Sequence, residues 1–216
     1  MKIAVLGTGV VGETIGSKLI GLGHEVKMGS RSATNEKGVA WAQVSGARAS
    51  IGTFAEAAAF GELAFNCTSG SGSLPALEAA GAANLKGKLL VDIANPLDFS
   101  NGFPPSLFSG NTDSLGEQAQ RLLPEAKVVK ALNHMSASVM VDPARVAQGD
   151  HDAIISGNDA EAKAQVEKIL KDWFGWKRVI DLGDISSARG TESYLPLWLR
   201  LYGALKTADF NIKVVS

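Results

Sequence analysis

A glycine-rich hexapeptide near the amino terminus has the clearest chemistry in this sequence. It comprises Gly7-Thr8-Gly9-Val10-Val11-Gly12 and directly follows the apolar run Met1 to Leu6, which has the composition of a strand. A helix-like segment, Glu13 to Leu22, comes next, and Glu25 to Met28 has the composition of a second strand. Glycines at this spacing between a strand and a helix are typical of the phosphate-binding turn of a βαβ dinucleotide-binding unit.

Each glycine of the turn has a separate task in such a unit. Gly7 permits the tight bend, Gly9 lets the backbone approach a pyrophosphate, and Gly12 lets the helix pack against the strands. The N–H groups that follow, at Val10 and Val11, together with the Thr8 hydroxyl, face the phosphates. The alternative is a tight strand-to-helix turn that binds nothing.

The end of the second predicted strand indicates which dinucleotide is bound. An NAD site usually has an Asp or Glu there, whereas this chain has Gly29-Ser30-Arg31. Arg31 can pair with a 2′-phosphate through two hydrogen bonds and Ser30 can donate one, with Asn35 and Lys37 close by. We therefore predict NADP(H) as the cofactor; the alternative is that Arg31 is an ordinary solvated charge.

Residues suited to acid–base, nucleophilic or metal chemistry are scarce. The three histidines are His24, predicted to be structural, His151, predicted to be solvated, and His134, which follows a predicted strand. We take His134 and its neighbour Asn133 as the catalytic candidates; the alternative is that His134 is a structural histidine whose hydrogen bonds are satisfied within the protein. Cys67 is the only cysteine and is predicted to be a core residue, and no Cys/His spacing predicts a metal site.

The bulk properties limit the possible partners and compartments. The chain has 216 residues, a net charge of -1 and 45% hydrophobic residues, which is ordinary for a soluble globular protein. The charge gives no reason to expect a nucleic-acid partner, and no apolar run reaches the roughly 20 residues of a membrane span. A single cysteine and the absence of a signal-peptide pattern predict a cytoplasmic protein without an internal disulfide.

The rest of the chain alternates predicted strands and helices. Strands are predicted at 47–51, 63–67, 88–93, 127–132, 153–156 and 177–182, and an extended segment at 210–215. Helices are predicted at 35–46, 54–60 with Thr53 as the N-cap, 74–83, 113–123, 160–173 and 186–206. This pattern predicts an α/β fold, a Rossmann-type doubly wound parallel sheet with a small C-terminal α/β extension. We divide it into a NADP-binding domain, 1–132, and an extension on the same sheet, 133–216, that helps to form the second-substrate site.

Several small or polar segments follow predicted strands, where open α/β sheets bind ligands. They are the hydroxyl-rich loop 68–73, the segment around Asn95 and Pro96, and the segment 133–137. A long loop, 94–112, is compatible either with a functional lid or with disorder. From these segments we predict further cofactor contacts at Thr68, Ser69, Gly70, Ser73, Asn95, Pro96 and Ala137.

The scarcity of acid–base residues favours one type of reaction. Reducing a ketone or an imine needs a placed proton donor, whereas a flavin-type ring absorbs the charge of a transferred hydride itself. We therefore favour hydride exchange between NADPH and such a ring. The alternatives are a reductase of small ketones or imines and a non-catalytic NADPH-binding sensor, and the apolar helix with Trp198 and Tyr202 could form a homodimer face.

Four stretches resemble the NADP-dependent oxidoreductases typified by NADPH:deazaflavin (coenzyme F420) reductase. They are KIAVLGTGVVGETIGSKLIGLGHEVKMGSR, LLVDIANP, AKVVKALNHMSA and SSARGTESYLPLWLRLYGALKTADFNIK. The reductase domain of the six-transmembrane metalloreductases is related. This resemblance implies NADPH over Thr8, Val10, Val11, Ser30 and Arg31, with its nicotinamide near Ser69, Asn95 and Ala137.

The resemblance also implies that the second ring stacks near Asn133, His134 and Met135. Deazaflavin reductases typically carry a His-Thr-Ile-type segment there, so this chain departs from the pattern and resembles the metalloreductase branch. The acceptor is therefore expected to be a small redox molecule, either coenzyme F420 or FAD or FMN.

Overall fold

Strands and helices alternate along most of the chain, as the sequence predicts. The computed structural model describes residues 1–216. Its strands are β1 (Lys2–Leu6), β2 (Glu25–Ser30), β3 (Ala49–Thr53), β4 (Leu63–Asn66), β5 (Leu89–Asp92), β6 (Leu97–Asp98), β7 (Ser106–Leu107), β8 (Lys127–Ala131), β9 (Asp152–Gly157) and β10 (Arg178–Asp181). Its α-helices are α1 (Val10–Gly21), α2 (Glu36–Ser45), α3 (Phe54–Phe60), α4 (Gly70–Ala80), α5 (Ala82–Leu85), α6 (Leu115–Leu122), α7 (Ala137–Val141), α8 (Ala160–Ile169), α9 (Ala188–Ser193) and α10 (Leu195–Leu205).

Eight strands form one sheet in the order β10-β9-β8-β5-β4-β1-β2-β3. Six neighbouring strands of this sheet, β8, β5, β4, β1, β2 and β3, are parallel. Their order is that of a doubly wound dinucleotide-binding fold. The predicted Rossmann-type α/β fold is thus confirmed. The strand order reverses between β1 and β4, so the ends of these two strands flank the crevice where such sheets bind ligands.

The last two strands, which belong to the predicted C-terminal extension, run opposite to the six parallel strands. β9 is antiparallel to β8, and β10 is parallel to β9. A parallel return needs a crossover across a face of the sheet. Between β8 and β9 the chain forms only the five-residue α7 and two 3-10 turns, Pro143–Arg145 and Ala147–Gly149. β9 therefore starts at the edge where β8 ends and runs back.

The hydrophobic core lies on both faces of the sheet. Along β1, Ile3 and Val5 belong to the core cluster on one face, and Ala4 and Leu6 belong to the cluster on the other. All four side chains are almost completely buried. Burial on both faces is the reason that β1 is a continuous apolar run without polar alternation.

Some helix ends follow the predicted capping residues closely. Thr53 caps α3, because the Glu56 N–H donates to its hydroxyl oxygen while the Thr53 N–H donates to the Glu56 carboxylate. Asn35 likewise caps α2 by accepting from the Gly38 N–H. Two starts differ: α1 begins at Val10 and α4 at Gly70, each earlier than predicted. Only three residues therefore separate each of these helices from the strand before it, β1 or β4.

The long helix predicted at 186–206 is wrong in its continuity. The chain forms a 3-10 turn at Ile185–Ser187, then α9, then α10. Pro196 explains the break, because proline has no N–H to donate to the carbonyl four residues earlier and its ring clashes there. The segment 210–215, predicted to be extended, has no regular secondary structure and lies beside the start of β9, where the Asp152 N–H donates to the Ile212 carbonyl oxygen.

The predicted long loop contains a small hairpin. β6 and β7 pair in antiparallel fashion, Leu97 opposite Leu107. The Phe108 N–H also donates to the Pro96 carbonyl oxygen, which fixes the base of the hairpin beside the end of β5.

Candidate dinucleotide site at the carboxyl edge of the sheet

The glycine turn after β1 is held between two neighbouring strands. Gly7 has a φ of +119°, and a Cβ on it would lie 2.7 Å from the Cys67 carbonyl oxygen. Its N–H donates to the Gly29 carbonyl oxygen at 2.8 Å. A side chain at position 7 would therefore be strained in backbone conformation and would collide with the chain after β4.

The other two glycines of the turn face different surroundings. A Cβ on Gly12 would lie 2.0 Å from the Gly7 carbonyl oxygen, so Gly12 allows α1 to pack closely on the turn. A Cβ on Gly9 would meet nothing within 4 Å. Val10 beside it is 73% exposed, and no loop or cap carbonyl accepts from the Val10 or Val11 N–H. The free N–H groups and open space fit a pyrophosphate.

Replacing these two glycines by alanine should separate binding from folding. Gly9→Ala should weaken NADPH binding by about 1–3 kcal/mol, the usual cost of forcing a methyl group into a close contact. Its unfolding free energy should stay within about 1 kcal/mol of the wild type, since the methyl group meets no protein atom. Gly12→Ala should lower both quantities. NADPH titration and urea unfolding measure them, and equal stability losses in the two variants would contradict this assignment.

A cleft of about 760 Å³ opens beside the turn. Eight of the predicted cofactor residues line it: Gly7, Thr8, Gly9, Ser30, Arg31, Asn35, Thr68 and Ser69. Eight lining residues were not predicted as contacts: Thr53, Phe54, Cys67, Ser71, Gly72, Pro75, Ala76 and Ala79. The unpredicted residues come from the chain just after β3 and β4 and from the first turns of α4. The rule that ligands bind at the carboxyl ends of the strands, applied to β3, would have found Thr53 and Phe54.

The remaining predicted cofactor residues lie outside this cleft lining. Val10, Val11 and Gly12 form the first turn of α1, beside α7, whose first residue is Ala137. The others are Lys37, which is exposed on α2, and Gly70, Ser73, Asn95 and Pro96, which lie along the ends of β4 and β5. Ser73 is fully buried and its hydroxyl accepts from the Asn66 side chain. It therefore joins α4 to the end of β4 and does not face the cleft.

The tip of β2 combines a buried hydroxyl with an exposed guanidinium. Ser30 is 6% exposed, and its Oγ accepts from the Ser32 N–H at 3.3 Å. Arg31 is exposed and pairs with no carboxylate of the chain. A guanidinium free of intramolecular partners at the rim of the cleft can bind a phosphate without first breaking an ion pair.

Asparagine side chains join the strand ends further along the same edge. Asn133 donates to the Asn95 side-chain oxygen at 2.9 Å, and Asn95 donates to the Asn133 carbonyl oxygen at 2.7 Å. A Cβ on Gly70 would lie 1.9 Å from the Asn95 carbonyl oxygen, so α4 packs directly on this pair. The predicted contacts after β4, β5 and β8 are thus brought together. Asn133 Oδ1 is buried without a hydrogen-bond partner.

His134 is buried rather than presented to a ligand. Its ring is inaccessible to solvent, Nε2 lies 3.4 Å from the Asp152 carbonyl oxygen, and Nδ1 has no partner. Burial lowers the pKa of His134 to about 4. A neutral, enclosed imidazole is a poor proton donor at neutral pH, which argues against its predicted catalytic role. Asn133 and Met135 are also almost fully buried.

The buried imidazole predicts a pH dependence of stability. Because its pKa falls from 6.5 to about 4 on folding, the unfolded chain alone binds a proton between these values. The contribution of His134 to the free energy of unfolding is therefore fully present above pH 6.5. This contribution should fall by about 2 kcal/mol between pH 7 and pH 5. Urea unfolding at both pH values tests this. His134→Gln should remove that part of the dependence, and identical pH profiles for the two proteins would contradict it.

The other two histidines and the cysteine have structural surroundings. His24 packs against Trp173 with ring centroids 4.4 Å apart and ring planes tilted by 41°, as expected for a structural residue. The prediction that His151 is solvated is wrong, because the residue is 2% exposed. Its Nε2–H donates to the Pro143 carbonyl oxygen, its Nδ1 accepts from the Asn211 side chain, and its ring packs edge-on against Trp176. Cys67 is buried, which raises the pKa of its thiol.

Two further properties bear on function. No group of three or more His, Cys, Asp or Glu side chains is arranged to hold a metal ion. None of the helices combines the length and the apolar character needed to cross a membrane.

Comparison with known sequences identifies related proteins. Residues 2–96 match the family described as NADP oxidoreductase, coenzyme F420-dependent. The F420-dependent NADP reductase of Methanocaldococcus jannaschii is 32% identical over 133 residues, 61% of this chain and 58% of that protein. The metalloreductase STEAP3 of Rattus norvegicus is 30% identical over 206 residues, 91% of this chain and 38% of that protein. The chain thus matches less than two thirds of the length of either relative.

Comparison with solved structures gives a full-length match. A candidate F420-dependent NADP reductase from Arthrobacter sp. FB24 is 56% identical, with a TM-score of 0.95 and complete coverage of both chains. A reductive aminase from Aspergillus terreus, solved with NADPH and ethyl levulinate, is 20% identical with a TM-score of 0.67 over 95% of this chain and 62% of that one. At this low identity the second likeness shows a shared fold alone.

Proposed function

Since this chain belongs to the family of coenzyme F420-dependent NADP oxidoreductases, we propose that it exchanges a hydride between NADPH and a deazaflavin ring, coenzyme F420. The observation that carries the proposal is the combination at one cleft of a free helix N-terminus and a β2 tip without a carboxylate. The acceptor is inferred from the name of the relative from Methanocaldococcus jannaschii.

The described residues fit a bound NADP(H) in several ways. The N–H groups at the start of α1 and the space beside Gly9 suit the pyrophosphate. Ser30 and Arg31 suit the 2′-phosphate, since a guanidinium can make two parallel hydrogen bonds to it. The far wall of the cleft, with Phe54 and Pro75, offers apolar surface to an adenine ring.

The bound cofactor supplies the hydride from its nicotinamide ring, and the protein must orient the two rings and keep water away. The asparagine pair Asn95 and Asn133 fixes the strand ends beside the cleft without adding a charge. His134 is neutral and enclosed, so it adds no proton donor. An acceptor that holds the new negative charge within its own ring needs no such donor, which favours a deazaflavin or flavin over a ketone or an imine.

The extension after β8 is a natural contributor to the acceptor site. We propose that residues 133–216 supply part of that site, through the segment 133–137, which leads into α7. This segment lies at the carboxyl edge of the sheet beside α1. FAD and FMN, which share the redox-active tricyclic form, are proposed as weaker acceptors.

Stopped-flow mixing tests the proposed reaction. The protein with NADPH is mixed in turn with coenzyme F420, FMN, FAD and a cyclic imine, and the loss of NADPH absorbance is recorded. We expect the fastest transfer to coenzyme F420 and little to the imine. Gly9→Ala is the control for background transfer. If the imine is the only acceptor that oxidises NADPH, the result would favour an imine reductase. If the protein binds NADPH but no acceptor oxidises it, the result would favour a sensor.

A further inference from the structure

Three charged side chains lie buried together below the carboxyl edge of the sheet. Lys130 on β8 places its Nζ 2.6 Å from Asp92 Oδ2 on β5 and 2.8 Å from Glu192 Oε1 on α9. None of the three is more than 1% exposed. We refer to Asp92, Lys130 and Glu192 as the buried triad.

One end of the buried triad reaches the cleft. Asp92 Oδ1 accepts from the Asn66 side chain at 2.7 Å, and the same amide donates to Ser73 at 2.8 Å. The Asn66 side-chain oxygen accepts from the Thr68 hydroxyl at 2.6 Å, and Thr68 lines the cleft. Lys130 also donates to the Ala94 carbonyl oxygen at 2.7 Å, immediately before Asn95. The triad thus supports two segments at the cleft edge.

The other end belongs to the C-terminal helices. Glu192 Oε2 accepts from the Leu115 N–H at 2.8 Å, and Oε1 accepts from the Gly116 N–H at 3.0 Å. These are the first two N–H groups of α6, where a carboxylate is favoured by the helix dipole. Glu192 therefore ties α9 and α6 to the same lysine that holds β5.

We propose that the buried triad positions the nicotinamide half of the cofactor by making the Thr68 and Ala94 segments depend on the docking of α9. The proposal rests on the proposed function. Asp92, Lys130 and Glu192 are positioning residues, since each acts through Asn66 or the Ala94 backbone. The adenosine half, beside Ser30 and Arg31, lies outside this chain of hydrogen bonds.

The choice of residue types favours positioning over stability. A buried group of ions usually contributes little more stability than well-packed apolar side chains of similar volume, because each charge must be taken out of water. Such a group does fix the orientation of its side chains, since every buried oxygen and every buried N–H needs a hydrogen-bond partner. Here the partners are the strand ends and loop of the cleft edge, which a hydride donor must meet with little positional error.

Glu192→Gln is the most economical test. Both oxygens of Glu192 accept hydrogen bonds, so the NH2 group of glutamine would face a second donor, either Lys130 or an N–H group of α6. The link from α9 to the rest of the buried triad is therefore broken. We expect the affinity for 2′,5′-ADP, a probe of the adenosine half, to stay within about twofold, and hydride transfer from NADPH to fall about 10- to 100-fold. The matched control is Glu117→Gln, because Glu117 also joins α6 to α9, through Arg189 at 2.6 Å, without touching the triad.

A second variant keeps the proposal testable if Glu192→Gln fails to fold. The combined change Asp92→Asn, Lys130→Met and Glu192→Leu removes all three charges together and leaves no buried ion unpaired. It should fold, bind 2′,5′-ADP and show the same loss of transfer.

The outcomes distinguish this proposal from the proposed function. Wild-type transfer rates in the folded variants would overturn positioning by the triad, as would an equal loss in Glu117→Gln or an equal loss of 2′,5′-ADP binding. A wild-type protein that binds no NADPH would overturn the proposed function itself.

Discussion

Arg31→Ala should weaken NADPH binding about 10- to 100-fold and leave NADH binding nearly unchanged. Hydrogen bonds to a charged group contribute about 1.5–3 kcal/mol, and 1.4 kcal/mol corresponds to a factor of ten. Arg31 is exposed at the rim of the cleft beside Ser30 and has no carboxylate partner, so its removal leaves no unpaired charge in the protein. Fluorescence titration with both nucleotides measures the effect.

Two variants sharpen this test. Arg31→Lys keeps the charge but loses the planar pair of donors, so it should restore only part of the NADPH affinity. Arg48→Ala removes an exposed arginine at the opposite, amino-terminal edge of the sheet, just before β3, and should change neither affinity. An equal loss for NADPH and NADH in Arg31→Ala would refute the 2′-phosphate assignment.

Lys130→Met should produce the largest loss of stability among single changes at the buried triad. The substitution leaves Asp92 and Glu192 as two buried carboxylates without their cation. Breaking a buried ion group in this way typically costs about 3–5 kcal/mol. Urea unfolding at neutral pH measures the change in the free energy of unfolding.

A partly exposed lysine provides the comparison. Lys163→Met breaks the pair with Asp181, which is 48% exposed, and the hydrogen bond to the Gly183 carbonyl oxygen, and should cost no more than about 2 kcal/mol. The combined neutral replacement of the triad should recover most of the stability lost in Lys130→Met. If Lys130→Met and Lys163→Met lost the same amount, the buried charges would not be as interdependent as their distances indicate.

The parts of the fold that local sequence determines were predicted well. The glycine turn, the strand–helix alternation and the Thr53 cap depend on neighbouring residues, and the structure bears them out. The direction of β9 depends instead on whether the preceding segment crosses a face of the sheet. No local pattern between Ser136 and Gly149 encodes that. Pro196 did signal the break between α9 and α10, but the apolar pattern around it favoured one helix.

Prediction of the candidate site divides in the same way. Residues on the turn and at the β2 tip are predicted from residue types and spacing, and the structure brings Gly7, Ser30 and Arg31 to one cleft. Part of the far wall comes from α4, whose start at Gly70 the sequence places too late, since small hydroxyl residues also suit a loop. The burial of His134 depends on the start of β9, 18 residues later, and that of His151 on Asn211 in the C-terminal segment, 60 residues later, so neither follows from a local pattern.

The most direct test of the account follows the hydride itself. The protein is mixed with coenzyme F420 and NADPH carrying deuterium at both hydrogens of the nicotinamide C4, in ordinary water, and the reduced deazaflavin is analysed by mass spectrometry. Because the acceptor atom of a deazaflavin is carbon, a transferred deuterium does not exchange with solvent. Direct hydride transfer predicts one deuterium in each reduced deazaflavin; a reduced product without the label, or no reduced product, would contradict it.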